Sequence, residues 1–449
     1  MKYSHGFAPL VLALSFASMV GGWGQSVPPS GSSQVVVDGP LAAPLPVEQA
    51  VAEALQSNTE IRAAVRRLSL AQLKTTTARS LDDPMLMVRD WDTPLRKPWD
   101  LNQAQVMVSL QQTFPGKEKR DLRGKVAGDE VDVATDELES LRQQVSASVR
   151  EVGAALLRNA DEMRLHNEQA ALLNEAVSAA LAEYTTGKVA QADVLRAQMA
   201  LTRLSEHLIE LEEERDTARA QLNSLMGRSP EAAAEIAGSY RSPGTLPSIE
   251  ELERVAIEHR PELAALRKQI VKSGDESGLA RLAMKPDITV AAGAMLMPTG
   301  SFSRTAYMAE LTMNLPSLNR ARHDGEAKQA DAATDVARAE LDARTSVVFL
   351  EIRQAQIAVQ SAQKRVKLYR DTLLPQAEAA FKASTAAYQN NRGEFMNLVD
   401  SQNLLLDVRT ATYKALADAD TGSAQLERAI GAPIPNPNSK PSSTERTDK

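Results

Sequence analysis

The side chains best suited to acid–base chemistry or metal binding are scarce and scattered in this sequence. Histidine serves both purposes near neutral pH, and the chain has five: His5, His166, His207, His259 and His323. None of them lies at metal-ligand spacing, and cysteine is absent, which excludes thiolate metal sites and disulfides. We therefore expect no enzyme active site, no bound metal and no cofactor.

Two other groups of residues are better explained by helix exposure and packing than by catalysis or metal binding. Glu212, Glu213 and Glu214 form an acidic run, which is typical of the exposed face of a helix. Methionines would suit a soft metal, but packing is the expected role of those in or beside predicted strands. These are Met85, Met87, Met107, Met295, Met297, Met308 and Met313. His166 is likewise predicted to pack in a helical seam, and His207 to lie on a solvated helix face.

Composition and the N-terminal segment restrict the class of protein. The chain has 449 residues and a formal net charge of -7, which does not favour nucleic acid as a partner. The apolar run 7–20 predicts a signal peptide at 1–24, followed by a Pro-, Gly- and Ser-rich linker at 25–45. An uncleaved anchor is the alternative, although the run is short for a bilayer span. No later segment has the ~20 apolar residues of a membrane helix, so entry into a membrane would require strands.

Two stretches of similar pattern indicate an internal duplication. The stretches 184–198 and 388–402 each open with Tyr and end with Gln, and Gly187 in the first corresponds to Asn391 in the second. Three further pairs recur at offsets of 201 or 202 residues: Glu60 and Glu262, Pro84 and Pro286, Pro115 and Pro316. Four matches in the same order indicate a real repeat. The predicted segments are a first repeat at 46–230, an inter-repeat linker at 231–248, a second repeat at 249–431 and a disordered tail at 432–449.

Each predicted repeat begins with a short helix and two strands. Apolar and polar side chains alternate within about 84–114 and again within about 286–316, which is the period of a strand. Four strands cannot close a barrel, a lone hairpin is marginal in water, and lipid tolerates only closed barrels. The strands therefore either form a small soluble sheet or are pooled by several chains.

Two long helices complete each predicted repeat. Apolar residues recur every seven positions, which predicts coiled-coil seams along helices of up to about 100 Å. Gly187 and Asn391 interrupt these seams, and both residue types readily adopt the left-handed conformation that ends a helix. The stretches 184–198 and 388–402 are therefore predicted to be tips of antiparallel helical hairpins, with a kinked continuous helix as the alternative. Pro375 predicts a kink or local unwinding within the second repeat.

These features in this order resemble the TolC-like outer-membrane efflux proteins, the outer-membrane factors of Gram-negative tripartite pumps. The resemblance rests on the signal peptide, the twofold repeat, Pro84 and Pro286 before strands, and the tips Tyr184-x-x-Gly187 and Tyr388-x-x-Asn391. It covers about residues 40 to 432. The segment Phe-Pro-Gly-Lys at 114–117 resembles the heavy-metal-exporter branch of the family.

The resemblance implies an architecture and a function. The expected fold is mostly α with a small β part, in which duplicated coiled-coil hairpins form a trimeric periplasmic tunnel. Four strands per chain would be pooled into a twelve-stranded outer-membrane β-barrel. The implied function is a passive exit duct gated at its periplasmic helical tips. The implied partners are two further copies of the chain, outer-membrane lipid, a periplasmic adaptor and an inner-membrane pump of the proton-driven RND type, which supplies the energy.

The resemblance also assigns gate residues by position. Asp193 in the first tip and Tyr388 in the second match the family's latch pair, and Asp400 matches an acid of the constriction. Asn397 stands where the family's best-known channel has a second acid. As single residues, Asp193 and Asp400 are equally well explained as acids at helix N-termini, where the helix dipole favours them.

The second tip departs from the family's latch. Gly393 stands where the best-known channel has a latch arginine, although Arg392 is adjacent. Gly187, Asn391 and Gly393 are the predicted tip turns. We therefore expect a gate that is less acidic and latched differently. A symmetric ring of carboxylates would favour cations, and opening it requires a partner that binds the open state better.

A soluble periplasmic coiled-coil scaffold or adaptor protein is the alternative function. It shares the signal peptide, the seams and the lack of catalytic clusters. Only the channel requires four strands of membrane-spanning length with lipid-facing apolar rows, and the duplicated placement of the strands favours the channel. The sequence leaves the exported substrate open between metal ions and drugs, because an outer duct is not where pumps usually discriminate.

Overall fold

The computed structural model describes residues 44–91, 105–187, 189–241, 244–299, 302–390, 392 and 394–435. All of them belong to one compact unit, Leu41–Lys449. The predicted signal peptide, nearly all of the predicted linker at 25–45 and the chain after residue 435 lie outside the described residues. The described part is mostly helical with a small sheet, which confirms the predicted fold class at that level.

The two halves of the chain share one series of strands and helices, but the second half adds a 3-10 turn and its first long helix is divided by a π-helical turn. The first half consists of β1 (Leu45–Pro46), α1 (Val47–Ser57), α2 (Thr59–Arg79), β2 (Met85–Trp91), β3 (Gln105–Phe114), α3 (Lys117–Thr185) and α4 (Gln191–Leu225). The second half consists of β4 (Ile236–Ala237), α5 (Ile249–His259), α6 (Pro261–Leu282), β5 (Ile288–Thr299), β6 (Phe302–Met313), a 3-10 turn (Pro316–Asn319), α7 (Arg320–Leu368), a π-helical turn (Tyr369–Leu373), α8 (Leu374–Gln389) and α9 (Phe395–Ile430).

Each half begins with two helices where the sequence predicts one short helix. The break in the first half is at Asn58, whose side-chain oxygen accepts hydrogen bonds from the backbone N–H groups of Glu60 and Ile61 at 2.9 and 3.1 Å. This is the usual action of asparagine as a helix N-cap. In the second half, Pro261 is the first residue of α6, a position that needs no N–H donor. In both halves, residues at the start of the second helix end the first one, although the apolar pattern of the sequence continues across the break.

The four longer strands form one open antiparallel sheet in the order β2-β3-β5-β6. One face is apolar along its registers, for example Val88, Val108, Ala294 and Tyr307 in one row. This face is open: the side chains of Leu86, Leu311 and Tyr307 are 69%, 72% and 89% exposed. Strands β2 and β6 form the two edges and have no second partner strand among the described residues.

The first hairpin is a continuous coiled coil. Helix α3 has 69 residues and is therefore about 100 Å long. Its predicted inner row is buried at Val145, Asn159, His166, Leu173 and Ala180, and α4 packs against it in the antiparallel direction. Gly187, with φ of 73°, follows the end of α3, as the tip prediction requires.

The second hairpin contains a local change of helix type. The π-helical turn Tyr369–Leu373 lies directly before α8, in which Pro375 occupies the first turn. Proline removes a backbone donor and crowds the preceding turn, and widening the helix by one residue relieves that crowding. The predicted local unwinding at Pro375 is thus present. Asn391 and Gly393 of the second tip lie outside the described residues.

Equivalent corners hold the returning helix of each hairpin against its half's first two helices. At the end of α4, the Asn58 side-chain amide donates to the Leu225 carbonyl at 2.9 Å. At the end of α9, the Arg260 guanidinium donates to the Ala429 carbonyl at 3.0 Å. A glycine with positive φ follows each helix, Gly227 at 69° and Gly431 at 73°. The two corners satisfy helix-terminal carbonyls that would otherwise be orphaned.

The segments predicted as linker and tail are partly packed. Within 231–248, β4 pairs in parallel with β1, and the Tyr240 hydroxyl donates to Asp161 at 2.9 Å. Ala432 and Ile434, at the start of the predicted tail, pack against a buried cluster that includes Leu426 and Ile430. The ordered body thus includes these residues, because their apolar and hydroxyl groups find partners on the helices.

No helix in the described part of the chain combines the length and the apolar character needed to cross a membrane.

We predict that Gly431→Ala destabilises the protein more than Gly187→Ala. Both glycines have φ of 73°, so each substitution carries a similar left-handed strain of about 1–2 kcal/mol. A β-carbon at Gly187 would meet nothing within 4 Å, whereas one at Gly431 would lie 2.7 Å from backbone atoms of His259 and Arg260. Thermal unfolding followed by helical circular dichroism measures the difference. Equal losses in the two variants would contradict the corner contact.

Candidate functional site at the hairpin tips

The two hairpin tips meet in one apolar cluster. Leu173, Ala180, Val194, Ala197 and Leu204 of the first hairpin enclose Val399 of α9, and Tyr388 and Met396 pack at the edge of the cluster. The first hairpin therefore provides a seam into which the second hairpin inserts a few side chains. This contact positions the residues that the sequence assigned to a gate.

Tyr388 bridges the hairpins through Glu183. Its hydroxyl donates to Glu183 Oε2 at 3.4 Å, a long hydrogen bond. Partial burial raises the pKa of Tyr388, and the nearby Glu183 carboxylate raises it further. The hydroxyl therefore stays protonated and able to donate throughout the neutral range.

Asp193 has a different neighbour from the one that the resemblance suggests. It lies in the first turn of α4, and its carboxylate is 3.5 Å from Arg196 on the same helix. Asp193 and Tyr388 are both described residues, and no hydrogen bond joins them in the protomer. Within one chain, then, Tyr388 contacts Glu183, and Asp193 has the position of a helix-stabilising acid.

The remaining gate candidates are exposed. Asn397 and Asp400 lie three residues apart on α9, on the face opposite the buried Val399 and Gln402. Arg392, between the tip helices, is exposed as well. Asp400 makes no hydrogen bond or ion pair with any residue that the structure describes. Its carboxylate is thus free to interact with solvent, an ion or another chain on this face of α9.

Polar contacts along the length of the hairpins join α3 to α9 above the tips. Arg150 donates to Glu427 at 2.6 Å, and Arg164 donates to the Tyr413 hydroxyl at 3.0 Å. Nearest the tips, the Gln402 amide donates to the Gln169 amide oxygen at 3.0 Å. The paired positions run in opposite directions along the two helices, as antiparallel packing requires. These contacts fix how far one hairpin can slide along the other.

The inner face of α3 carries a row of buried polar residues at helical spacing. Its members are Asn159, Glu162, His166 and Gln169. Asn159 donates to the Leu211 carbonyl at 2.8 Å, and Glu162 accepts from Arg158 at 3.1 and 3.2 Å. Buried polar groups in a seam are costly unless paired, and their pairing restricts the register. Of these residues, His166 is predicted from the sequence to pack in the seam, whereas the pairing of Gln169 with Gln402 is not predicted from the sequence.

His166 and His207 are brought together across the first hairpin. Their ring centroids are 4.6 Å apart, with the ring planes tilted by 50°. Burial lowers the pKa of His166, and the neighbouring His207 lowers it further. His207 therefore packs partly against the seam and is not only a solvated residue as the sequence suggested.

Comparisons with known proteins agree with this architecture. The outer membrane efflux protein family matches residues 50–228 and again 252–432, and the chain therefore belongs to that family. Among curated relatives, the cobalt-zinc-cadmium resistance protein CzcC of Cupriavidus metallidurans is 25% identical over 426 residues, which cover 95% of this chain and 99% of the relative.

Solved channel structures share the fold. The outer membrane protein VceC of Vibrio cholerae superposes with a TM-score of 0.71 at 20% identity, covering 87% of this chain and 97% of VceC. The CmeC outer membrane channel of Campylobacter jejuni gives 0.73 at 12% identity, covering 86% of this chain and 85% of CmeC. CusC gives 0.71 at 13% identity, covering 89% and 96%.

We predict that Gln402→Leu lowers the free energy of unfolding by about 1–3 kcal/mol, because it leaves the buried Gln169 side chain without its partner. The double variant Gln169→Leu with Gln402→Leu should recover part of this loss, since it removes both polar groups. Gln198→Leu is the matched control: Gln198 occupies the equivalent place in the first repeat and is exposed. Chemical unfolding of the unaltered protein, the single variants Gln169→Leu and Gln402→Leu and the double variant gives the coupling energy, and additive losses would contradict the pairing.

Proposed function

We propose that this protein is the outer-membrane exit duct of a tripartite efflux system in a Gram-negative bacterium. Three copies would pool four strands each into one twelve-stranded barrel, and their long helices would form a tunnel across the periplasm. Substrates would enter from an inner-membrane pump through a periplasmic adaptor and leave to the exterior. The family membership of the chain supports this function.

The observation that carries the proposal is the open sheet. Strands β3, β5 and β6 have 10, 12 and 12 residues, against the ~9–11 that a tilted strand needs to span a bilayer. One face is apolar and exposed, and each of the two edge strands lacks a second partner strand within the part of the chain that the structure describes. In lipid, unpaired edges are not tolerated, so the strands must close with those of other copies. A soluble scaffold would instead have to keep this face in water.

The two ends of the molecule differ in the way that a duct across the periplasm requires. The sheet lies at one end of α3 and the tip at the other, about 100 Å away for a helix of 69 residues. The tip is the end that an adaptor from the inner membrane would reach. Since the chain has no phosphate-binding loop, the energy would come from the pump, which we propose to be of the proton-driven RND type.

The exported substrates that we propose are heavy-metal cations. CzcC is named as a cobalt-zinc-cadmium resistance protein, and the Phe-Pro-Gly-Lys segment at 114–117 lies at the start of α3. The proposed gate is consistent with cations, because Asp400 is an exposed acid beside the tip. Threefold symmetry would supply three such carboxylates to one constriction, with Asn397 one helical turn nearer the tip.

In the proposed gate, Tyr388 and Glu183 hold the second hairpin against the first. Asp193 and Arg392 lie near the same tip and would be available to a neighbouring copy or to the adaptor. Opening would separate the two hairpins, so the adaptor must bind the separated state more tightly than the joined one.

Cysteine cross-linking tests whether copies pool their strands. The chain has no cysteine, so Val88→Cys on β2 can be combined with Tyr307→Cys, Ala309→Cys or Leu311→Cys on β6. Within one copy, β2 and β6 are separated by two strands, or about 14 Å, which a disulfide cannot span. We expect at least one pair to give covalent dimers and trimers in outer-membrane fractions.

The control for cross-linking is Val88→Cys with Val290→Cys, because Val290 lies on the interior strand β5 on the same face. This pair should give no cross-linked trimer. A native mass of one chain in mild detergent, or recovery from the soluble periplasm with no cross-linking in any pair, would refute the proposed duct.

Ion selectivity tests the proposed gate. In planar bilayers, Asp400→Asn should lower the cation-to-anion permeability ratio at least about twofold, because three carboxylates are removed from one constriction. Glu213→Gln is the control: Glu213 is an exposed acid on α4 with no ion pair among the described residues. If both variants change the ratio equally, Asp400 does not line the constriction.

A further inference from the structure

We propose that His166 and His207 form a binding site for a divalent transition-metal ion, such as Zn²⁺ or Co²⁺, in the wall of the first hairpin. The two residues are 41 positions apart in the sequence and come together only because α3 and α4 fold back on each other. This site is separate from the proposed gate and does not depend on the duct function.

The hydrogen bonds of both imidazoles leave the same nitrogen free. His166 Nδ1 is 2.8 Å from the Glu162 carbonyl oxygen, which can only accept, so Nδ1 carries the proton. His207 Nδ1 is 2.8 Å from Glu210 Oε2, and the carboxylate oxygen likewise accepts a hydrogen bond from the Nδ1–H group. In the neutral rings, each Nε2 therefore holds a lone pair. This arrangement, with one nitrogen bonded to a carbonyl or carboxylate, is the one that metal-binding histidines use.

The two free nitrogens point toward the same end of the hairpin. Glu162 lies four residues before His166 on α3, whereas Glu210 lies three residues after His207 on α4. Because the helices are antiparallel, both Nδ1 atoms are directed away from the tip. Both Nε2 atoms are therefore directed roughly toward it, on the opposite side of each ring.

The ring separation suits a shared ion. Nitrogens about 2.0–2.1 Å from one metal ion place the centres of two imidazoles roughly 4.5–5.2 Å apart for N–metal–N angles of roughly 90–110°, and the separation here is 4.6 Å, at the short end of that range. His166 itself is 4% exposed, while the His207 side chain is 45% exposed. An ion can therefore reach the pair from the His207 side and be held against a buried ligand.

The surroundings favour a cation. Glu162 and Asp407 both act electrostatically on His166, in the direction that stabilises positive charge there, and Glu210 contacts His207. Two arginines of α3 near His166 in the sequence are already paired, Arg158 with Glu162 and Glu214 and Arg164 with Asp161 and Glu168.

Two histidines are an incomplete coordination set. The described residues contain no group of three or more His, Asp or Glu placed to hold a metal ion. Water or another small ligand would fill the remaining positions, so we expect binding weaker and more readily exchanged than in a closed four-ligand site. The site is thus suited to transient occupancy.

The test is metal binding by the full chain in mild detergent, with any polyhistidine tag removed. Calorimetric titration with Zn²⁺ and with Co²⁺ alone should give one site per protomer. His207→Ala should weaken binding at least tenfold, and its exposed side chain makes misfolding an improbable cause. His166→Asn should do the same, because Asn retains a donor near the Nδ1 position while removing Nε2.

His259→Ala is the control, since His259 also bonds a carbonyl through Nδ1, that of Val255, but has no paired histidine among the described residues. It should bind as the unaltered protein does. Absence of binding by the unaltered chain, or binding that His207→Ala and His166→Asn leave unchanged, would overturn the proposal. Neither result would bear on the cross-linking that tests the duct.

Discussion

Both hairpins depend on the contact between the end of the returning helix, α4 or α9, and the two shorter helices at the start of the same half. Gly227 and Gly431 adopt positive φ there, and a polar side chain, from Asn58 in one half and Arg260 in the other, binds a carbonyl of the last turn. Each corner closes off its helix end and fixes its axial position. The positions of all residues farther down the hairpins, including the tips, follow from the 1.5 Å rise per residue.

Below the corners, the two hairpins are held together less firmly toward the tips. The contact of Arg150 with Glu427 is charge-assisted and short, and Gln169 with Gln402 is neutral but buried. At the tip, the contacts between the described residues include the long hydrogen bond of Tyr388 to Glu183 and the insertion of Val399. Local stability follows the density of buried contacts, so we expect the hairpins to separate more readily at the tip than at the corners. The buried polar row on α3 restricts the register of the seam above the tip.

The periodic features could be predicted from the sequence, whereas pairings over long distances could not. The seam rows, the strand alternation and the unwinding at Pro375 depend on neighbours within one element, and sequence spacing reports these directly. The Asn58 break was missed because one capping side chain interrupts an apolar pattern without altering it. Tyr388 with Glu183, and His166 with His207, depend on which helices lie side by side. The assignment of Asp193 to a latch came from positional resemblance and stays a prediction; within the protomer this acid lies beside Arg196.

The two hairpins differ in how they can bend, although they arise from one repeat. Helix α3 runs without interruption for 69 residues, so a displacement at its tip would have to bend the entire helix. The equivalent part of the second hairpin is divided by the π-helical turn Tyr369–Leu373 and Pro375. Such a turn lacks the regular hydrogen-bond ladder and is where long helices kink. Ala377, Leu405 and Val408 form a small separate cluster below it, so α8 and the start of α9 can move as one piece. The second hairpin is therefore the deformable one, and it carries Tyr388 and Asp400 with it.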